Sequence, residues 1–306
     1  MDQKVAVIDL GTNTFHLLVA EWDGHHYQIV LRDRCAAKIG MGGINKDIIT
    51  DDGIERALEA LRNFRNVMDQ ESVTRSFAFG TSAFRNASNG QAVAEKIQHQ
   101  TGIPVNIISG DQEAEYIYRG VREAISLGDD PSLIVDIGGG SVEFIIGNKD
   151  KIFWKRSFEV GGQRLLERFH RHDPILPEEV VQLDAYLTAV LQPLLEQIKK
   201  FKPAILVGSS GTFDTLSDIY RVRNGLPLQP DAETPLTFES FYETFKLLLV
   251  KNREQRLLIP GMIEMRVDMI VVACCLLRFL IEHHEFLGIR VSSYSLKEGV
   301  LASLSS

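Results

Sequence analysis

The chain has 306 residues, with 33 Lys plus Arg against 41 Asp plus Glu and a formal net charge of −8. That length suits about two domains, and the acidic balance excludes a general binder of nucleic acid or anionic membrane. The longest apolar run, Met269 to Leu277, falls far short of the ~20 residues that span a bilayer and reads as a buried helix.

In chain order, a strand over Val5 to Leu10 leads through a polar turn into a second strand. A helix around Asp52 to Asp69 precedes a strand over Ser76 to Gly80. A helix over Gly90 to Thr101 precedes a strand over Val105 to Ser109, and a third helix runs from Asp111 to Ser126. A second hairpin follows over Leu133 to Ile146. Then come a helix from Pro177 to Phe201, bent near Pro193, and a strand over Ala204 to Val207. Asn224 to Thr237, with three prolines, is the most loop-like stretch. An apolar helix from Arg266 to His283 and a short one from Leu296 to Ser303 complete the chain. Strands alternating with helices indicate an α/β fold. Cys35, Cys274 and Cys275 form no CxxC pair and suit buried thiols in a reducing compartment. With no basic leader ahead of an apolar stretch, a cytoplasmic location is expected.

The two hairpins match position by position, with Asp9 and Asp136 127 residues apart. Each has three apolar residues, Asp, an aliphatic residue, Gly, two turn residues and then Thr or Ser. The repeat argues for two related domains, 1–125 joined by the C-terminal helix 295–306, and 126–294. Three loops directly after aliphatic strands could cradle phosphate. They are Gly11-Thr12-Asn13-Thr14, Gly138-Gly139-Gly140-Ser141 and Gly208-Ser209-Ser210-Gly211-Thr212. Glycine lets backbone N–H groups approach an anion, and hydroxyls add donors. Asp9 and Asp136 close the first strand of each hairpin and read either as turn formers or as Mg²⁺ ligands. Glu143 lies across the turn from Asp136, where a hairpin could bring both to one ion.

Glu113 follows Ser109 and Gln112, spaced as a capping box. That placement suits an acid in a first helical turn or a general base facing a ligand. Glu115 is set for an i,i+4 pair with Arg119. Arg85, shortly after a strand, could clamp phosphate bidentately.

The stretches AVIDLGTNTFHLLVA (6–20), GTSAFRNASN (80–89), VNIISGDQEAEYIYRGV (105–121), IVDIGGGSVEFI (134–145), VGGQRLLERF (160–169), VGSSGT (207–212) and SLKEGVL (295–301) resemble, in order, the exopolyphosphatase / guanosine pentaphosphate phosphohydrolase family. The resemblance implies two actin-like (ribonuclease H-like) domains of the actin, sugar-kinase and chaperone-ATPase superfamily, with an interdomain cleft. It implies Mg²⁺-assisted removal of the terminal phosphate from inorganic polyphosphate or guanosine pentaphosphate. In that scheme Glu113 activates the attacking water and the three loops with Arg85 hold phosphate. Asp136 and Glu143, with Asp9, are the metal carboxylates. The expected partners are the phosphorylated substrate, no nucleic acid and no membrane, with a homodimer as the candidate assembly. Gln112 stands where the family often has a second Glu, and Lys38 and Met41 replace a common Arg and a common acid. The alternatives are a noncatalytic sensor of a phosphorylated nucleotide and a small-molecule kinase of the same superfamily.

Overall fold

The computed structural model describes residues 3–23 and 25–304. In chain order its elements are β1 (Gln3–Leu10), β2 (Phe15–Trp22), β3 (Tyr27–Cys35), α1 (Asp51–Gln70), β4 (Arg75–Gly80), α2 (Ser82–Asn86), α3 (Gly90–Thr101), β5 (Val105–Ile107) and α4 (Gly110–Ala124). There follow β6 (Ser132–Ile137), β7 (Val142–Gly147), β8 (Ile152–Phe158), α5 (Gly162–Phe169), α6 (Pro177–Val190), α7 (Gln192–Phe201), β9 (Ile205–Ser209) and α8 (Gly211–Arg223). The last are β10 (Glu233–Thr234), α9 (Phe238–Val250), α10 (Arg253–Leu257), α11 (Ile270–His283), β11 (Gly288–Ser292) and α12 (Leu296–Leu304). The chain divides into two compact units, Met1–Gly120 with Leu296–Ser306, and Val121–Ser295.

Each unit is an α/β layer structure on a mixed sheet. The first sheet runs β3-β2-β1-β4-β5 and the second β8-β7-β6-β9-β11-β10. In both, the three leading strands form an antiparallel meander, and two further strands extend the sheet parallel to the first strand of that meander. The sequence repeat is therefore a repeat of topology, with β10 as an extra edge. The central strands explain their positions: β6 and β7 are buried along their full length, as strands covered on both faces must be. The edge strand β3 alternates instead and carries Arg32, Asp33 and Arg34, charges that discourage further pairing.

Each unit has its own core, one built around Ile8, Leu17, Leu58 and Phe64, the other around Val135, Phe144, Phe213 and α11. Apolar nearly all round, α11 is buried in its unit. It starts at Ile270 rather than Arg266, because 264–269 form turns. The expected bent helix 177–201 is two helices broken at Leu191; Pro193 lies in the first turn of α7, where its missing N–H costs no helical bond. The strand expected to reach Ser109 ends at Ile107. Ser109 instead caps α4, its Oγ accepting from the Gln112 N–H at 3.1 Å. Cys274 and Cys275 are buried, whereas Cys35 is half-buried on the edge strand. Among the described residues no helix is long and apolar enough to cross a membrane.

Candidate active site

In open α/β sheets ligands collect at the carboxyl ends of the parallel strands, and each unit places its polar residues there. In the first unit, β1 ends at the Gly11–Thr14 turn. Beside it, β4 leads into Thr81, whose N–H and hydroxyl both reach Leu10 O at 3.4 Å. The short α2 then presents Arg85, and β5 leads to α4 and Glu113. Arg85 Nη1 donates to Glu113 Oε2 at 2.8 Å and to Ile108 O at 3.1 Å. The Glu113 carboxylate is buried, and the pair joins two residues that the sequence placed in separate motifs. Glu115 makes its expected pair with Arg119 at 2.8 Å, half-exposed.

Thr12, Asn13 and Thr14 of the first turn are buried. A side-chain carbon at Gly11 would fall 2.8 Å from Thr14 O, so glycine permits the tight reversal. Lys38 N–H donates to Asn13 O at 2.9 Å and Gly40 N–H to Thr12 O at 3.0 Å. The carbonyls of the turn are thereby tied back to this segment, which Arg56 holds through Ala37 O and Lys38 O at 2.9 and 2.8 Å. The Thr12 and Thr14 hydroxyls are buried without a hydrogen-bond partner among the described residues, a costly state for isolated polar groups.

The second unit repeats the construction with other chemistry. Gly138 to Gly140 turn as Gly11 to Asn13 do, and a side-chain carbon at Gly138 would fall 3.0 Å from Ser141 O. The start of α5 supplies the brace: Gly162, Gln163 and Gly161 N–H donate to the carbonyls of Gly138, Gly139 and Gly140 at 2.8, 2.8 and 3.2 Å. Buried Arg164 adds its Nε to Gly140 O at 3.0 Å. Behind the turn Asp136 and Glu143 are direct partners in the β6–β7 ladder, both buried. Glu143 Oε1 accepts from Ser141 Oγ at 2.7 Å and Ser157 Oγ at 2.6 Å. Asp136 Oδ2 accepts from Ser209 Oγ at 3.2 Å and from Ser295 Oγ. Ser141, expected to face phosphate, thus spends its hydroxyl on Glu143.

The loop 208–212 joins β9 to α8 at the same strand ends. Ser210 has φ +74°, a conformation that side chains rarely take. At Gly208 a side-chain carbon would strike the Phe213 ring, and at Gly211 it would fall 2.0 Å from Arg266 Nη2. The buried Arg266 guanidinium therefore lies against the backbone that opens α8. Asp9, grouped by sequence with Asp136 and Glu143, stands half-buried on β1 opposite His16 in the first unit. Among the described residues no three His, Cys, Asp or Glu side chains form a metal-binding group.

Sequence reasoning missed Arg164, Arg266, Ser157 and Ser295. Arg164 lay inside the quoted VGGQR stretch and Ser295 opens SLKEG, so both had a local signal. Arg266 and Ser157 reach the site only through tertiary packing and strand register.

The chain as a whole is similar to known proteins. A crystal structure of an exopolyphosphatase from Cytophaga hutchinsonii is 44% identical, with a TM-score of 0.95 over 99% of this chain and 98% of that one. A Ppx/GppA family member from Aquifex aeolicus is 26% identical, with a TM-score of 0.79 over 99% and 98%. The bifunctional 3-dehydroquinate synthase/phosphatase of Fusobacterium nucleatum is 28% identical over 289 residues. That match takes in 91% of this chain but spans only 43% of the curated relative. The Ppx/GppA phosphatase family pattern matches residues 18–306, and the chain belongs to that family.

Proposed function

We propose that the protein removes the terminal phosphate of inorganic polyphosphate, with guanosine pentaphosphate as a second substrate bearing the same anhydride, by attack of a water that Glu113 deprotonates. The observation that carries this reading is the buried, unpartnered hydroxyl pair of Thr12 and Thr14, at the strand ends of the unit that holds Glu113. Donors without acceptors in a buried turn are what a bound phosphate would satisfy. The 44% identical protein named an exopolyphosphatase supports polyphosphate as the first substrate.

Phosphoryl transfer needs position, charge neutralisation and an oriented water more than covalent chemistry. Thr12 and Thr14 hydroxyls donate to phosphate oxygens, with the backbone N–H groups of the turn beside them. Glu113 accepts a proton from the attacking water at its carboxylate. Arg85 orients that carboxylate through Nη1 and lends positive charge to the phosphate. In the second unit, the N–H groups around Gly138–Ser141 and Gly208–Thr212 are phosphate donors, and Arg266 braces the start of α8.

Asp136 and Glu143 fit Mg²⁺: they are oxygen donors side by side in one ladder, and two carboxylates are what Mg²⁺ takes when it shares substrate phosphates. The bound ion would neutralise charge on the phosphate oxygens. With a net charge of −8, attraction of a polyanion must be local, so KM should fall as Mg²⁺ rises.

The test is phosphate release from polyphosphate and guanosine pentaphosphate by wild type and Glu113→Gln. We expect the variant to lose about 10²–10⁴-fold in kcat. Full activity in the variant would remove Glu113 as the base. Tight binding of either substrate with no turnover by wild type would make the protein a sensor instead.

A further inference from the structure

We infer that Ser157 and Ser295 are positioning residues that fix the Asp136 and Glu143 carboxylates for a divalent cation, an inference that rests on the reading of those carboxylates given above. Strand register carries it. Ser157 is the ladder partner of Glu143, Glu143 of Asp136, Asp136 of Ser209, and Ser209 of Ser292. The five side chains form one row across β8, β7, β6, β9 and β11. Two acids directly opposite on neighbouring strands repel, and both of these are buried, at 6% and 1% exposure. Hydroxyl donors favour the charged carboxylate and hold it still.

The donors are distributed evenly. Each carboxylate carries two serine hydroxyls on one oxygen: Ser141 and Ser157 on Glu143 Oε1, Ser209 and Ser295 on Asp136 Oδ2. Ser141 and Ser209 come from the phosphate loops themselves. Ser157 comes from β8 and Ser295 from the residue before α12, so each carboxylate is tied to an element outside its loop. Ser209 Oγ also lies 3.3 Å from Tyr294 O, and so divides its single proton between two acceptors, while Ser295 Oγ donates to the same Asp136 oxygen at a shorter distance. Groups that orient a metal ligand without touching the metal typically account for about 10–100-fold in metal affinity.

The experiment is Mn²⁺ binding to the whole protein, followed by the loss of the free-ion EPR signal, for wild type, Ser157→Ala, Ser295→Ala, Ser157→Thr and Asp136→Asn. We expect Mn²⁺ to bind about 10–100-fold more weakly to each alanine variant. Ser157→Thr, which keeps the hydroxyl on a strand that tolerates β-branching, should bind as wild type does. Melting temperatures should move little, separating positioning from general stability. Equal Mn²⁺ affinity in wild type and both alanine variants would overturn the inference and leave the carboxylate reading standing. If wild type binds no Mn²⁺, or Asp136→Asn binds it unchanged, the carboxylate reading fails and takes the inference with it. Should an alanine variant fail to fold, Ser157→Cys, similar in size but a weak donor, must still lower affinity.

Discussion

The two hairpins share a backbone and differ in chemistry. In the second unit the row behind the turn reads Ser157–Glu143–Asp136–Ser209. The corresponding row of the first unit reads Arg34–His16–Asp9–Phe79. One has two buried acids in a frame of serines, and the other has a single half-buried acid beside a histidine and an aromatic ring. The turns differ in the opposite sense. Thr12 and Thr14 keep unpartnered hydroxyls, whereas the second turn has glycines and a Ser141 already committed to Glu143. One backbone plan thus carries a turn with buried, unpartnered hydroxyls in the first unit and, in the second, a turn whose hydroxyl is spent on a buried carboxylate.

The sharpest way to break that comparison is to remove each chemistry separately. Thr12→Val with Thr14→Val deletes both hydroxyls at nearly constant shape. A hydrogen bond to a charged group is worth about 1.5–3 kcal/mol, so each loss should lower kcat/KM roughly 10–100-fold, while the Mg²⁺ concentration for half-maximal rate stays put. Asp136→Asn should instead raise that Mg²⁺ requirement by at least about tenfold. Initial rates over a Mg²⁺ series measure both, and a shifted Mg²⁺ requirement in the threonine variant would merge the two roles.

The hairpins were legible because they rest on local patterns: an aliphatic run, an Asp, glycines and a hydroxyl in fixed order. Glu143 could be placed opposite Asp136 for the same reason, since a two-residue turn fixes register. The Arg85–Glu113 pair was not legible, because β4 and β5 must first align before residues 28 apart can meet. Nor was β8 legible as a strand: Ile152-Phe153-Trp154-Lys155-Arg156 lacks clean alternation, and its register shifts between Ile146 and Gly147 of its partner. The braces were hidden as well, since they are backbone contacts between segments with no shared motif.

Those braces offer a second test, of stability rather than rate. Lys38 and Gly161 fill the same place, each donating its N–H to the third residue of its turn, yet they solve opposite problems. Gly161 has an ordinary φ of −67°, but an added side-chain carbon would come within 2.5 Å of the Gly139 and Gly140 backbone. Lys38 has room for a side chain but adopts φ +44°. Gly161→Ala should therefore destabilise by about 1–3 kcal/mol through overpacking. Lys38→Gly trades left-handed strain against added chain entropy and should change stability by less than about 1 kcal/mol. Chemical denaturation of both variants decides it; an unaffected Gly161→Ala would show that the α5 brace yields.

The smallest expected effect separates the braces by pH. The first is anchored by Arg56 through the Ala37 and Lys38 carbonyls, with no histidine in the brace. The second belongs to α5, which ends at His170, its side chain buried, neither ring nitrogen hydrogen-bonded among the described residues, and Nε2 3.6 Å from Asp173 Oδ1. Burial first, and then the charge of Arg256, push the His170 pKa below its ordinary 6.5, against the opposing pull of Asp173 and Glu179. Burial raises the Asp173 carboxyl, but the Arg256 side chain and the Arg253 N–H outweigh it and hold it below the ordinary 3.8. Glu179 is likewise held below its usual 4.5, by backbone N–H groups and His172 against burial. Both acids therefore stay charged while His170 is tested. The unfolded chain takes up a proton near pH 6.5 that the folded chain resists, so this contribution is complete above that pH and drains away as pH falls toward the lower folded value. Between pH 7.5 and 5 the wild type should lose stability that His170→Phe does not lose. Hydrogen-exchange protection of the Gly161 to Gln163 amides should fall over the same range, while that of Lys38 and Gly40 holds. An equal loss at both braces would mean that acid loosens the protein as a whole, and His170 would then have no particular hold on the second turn.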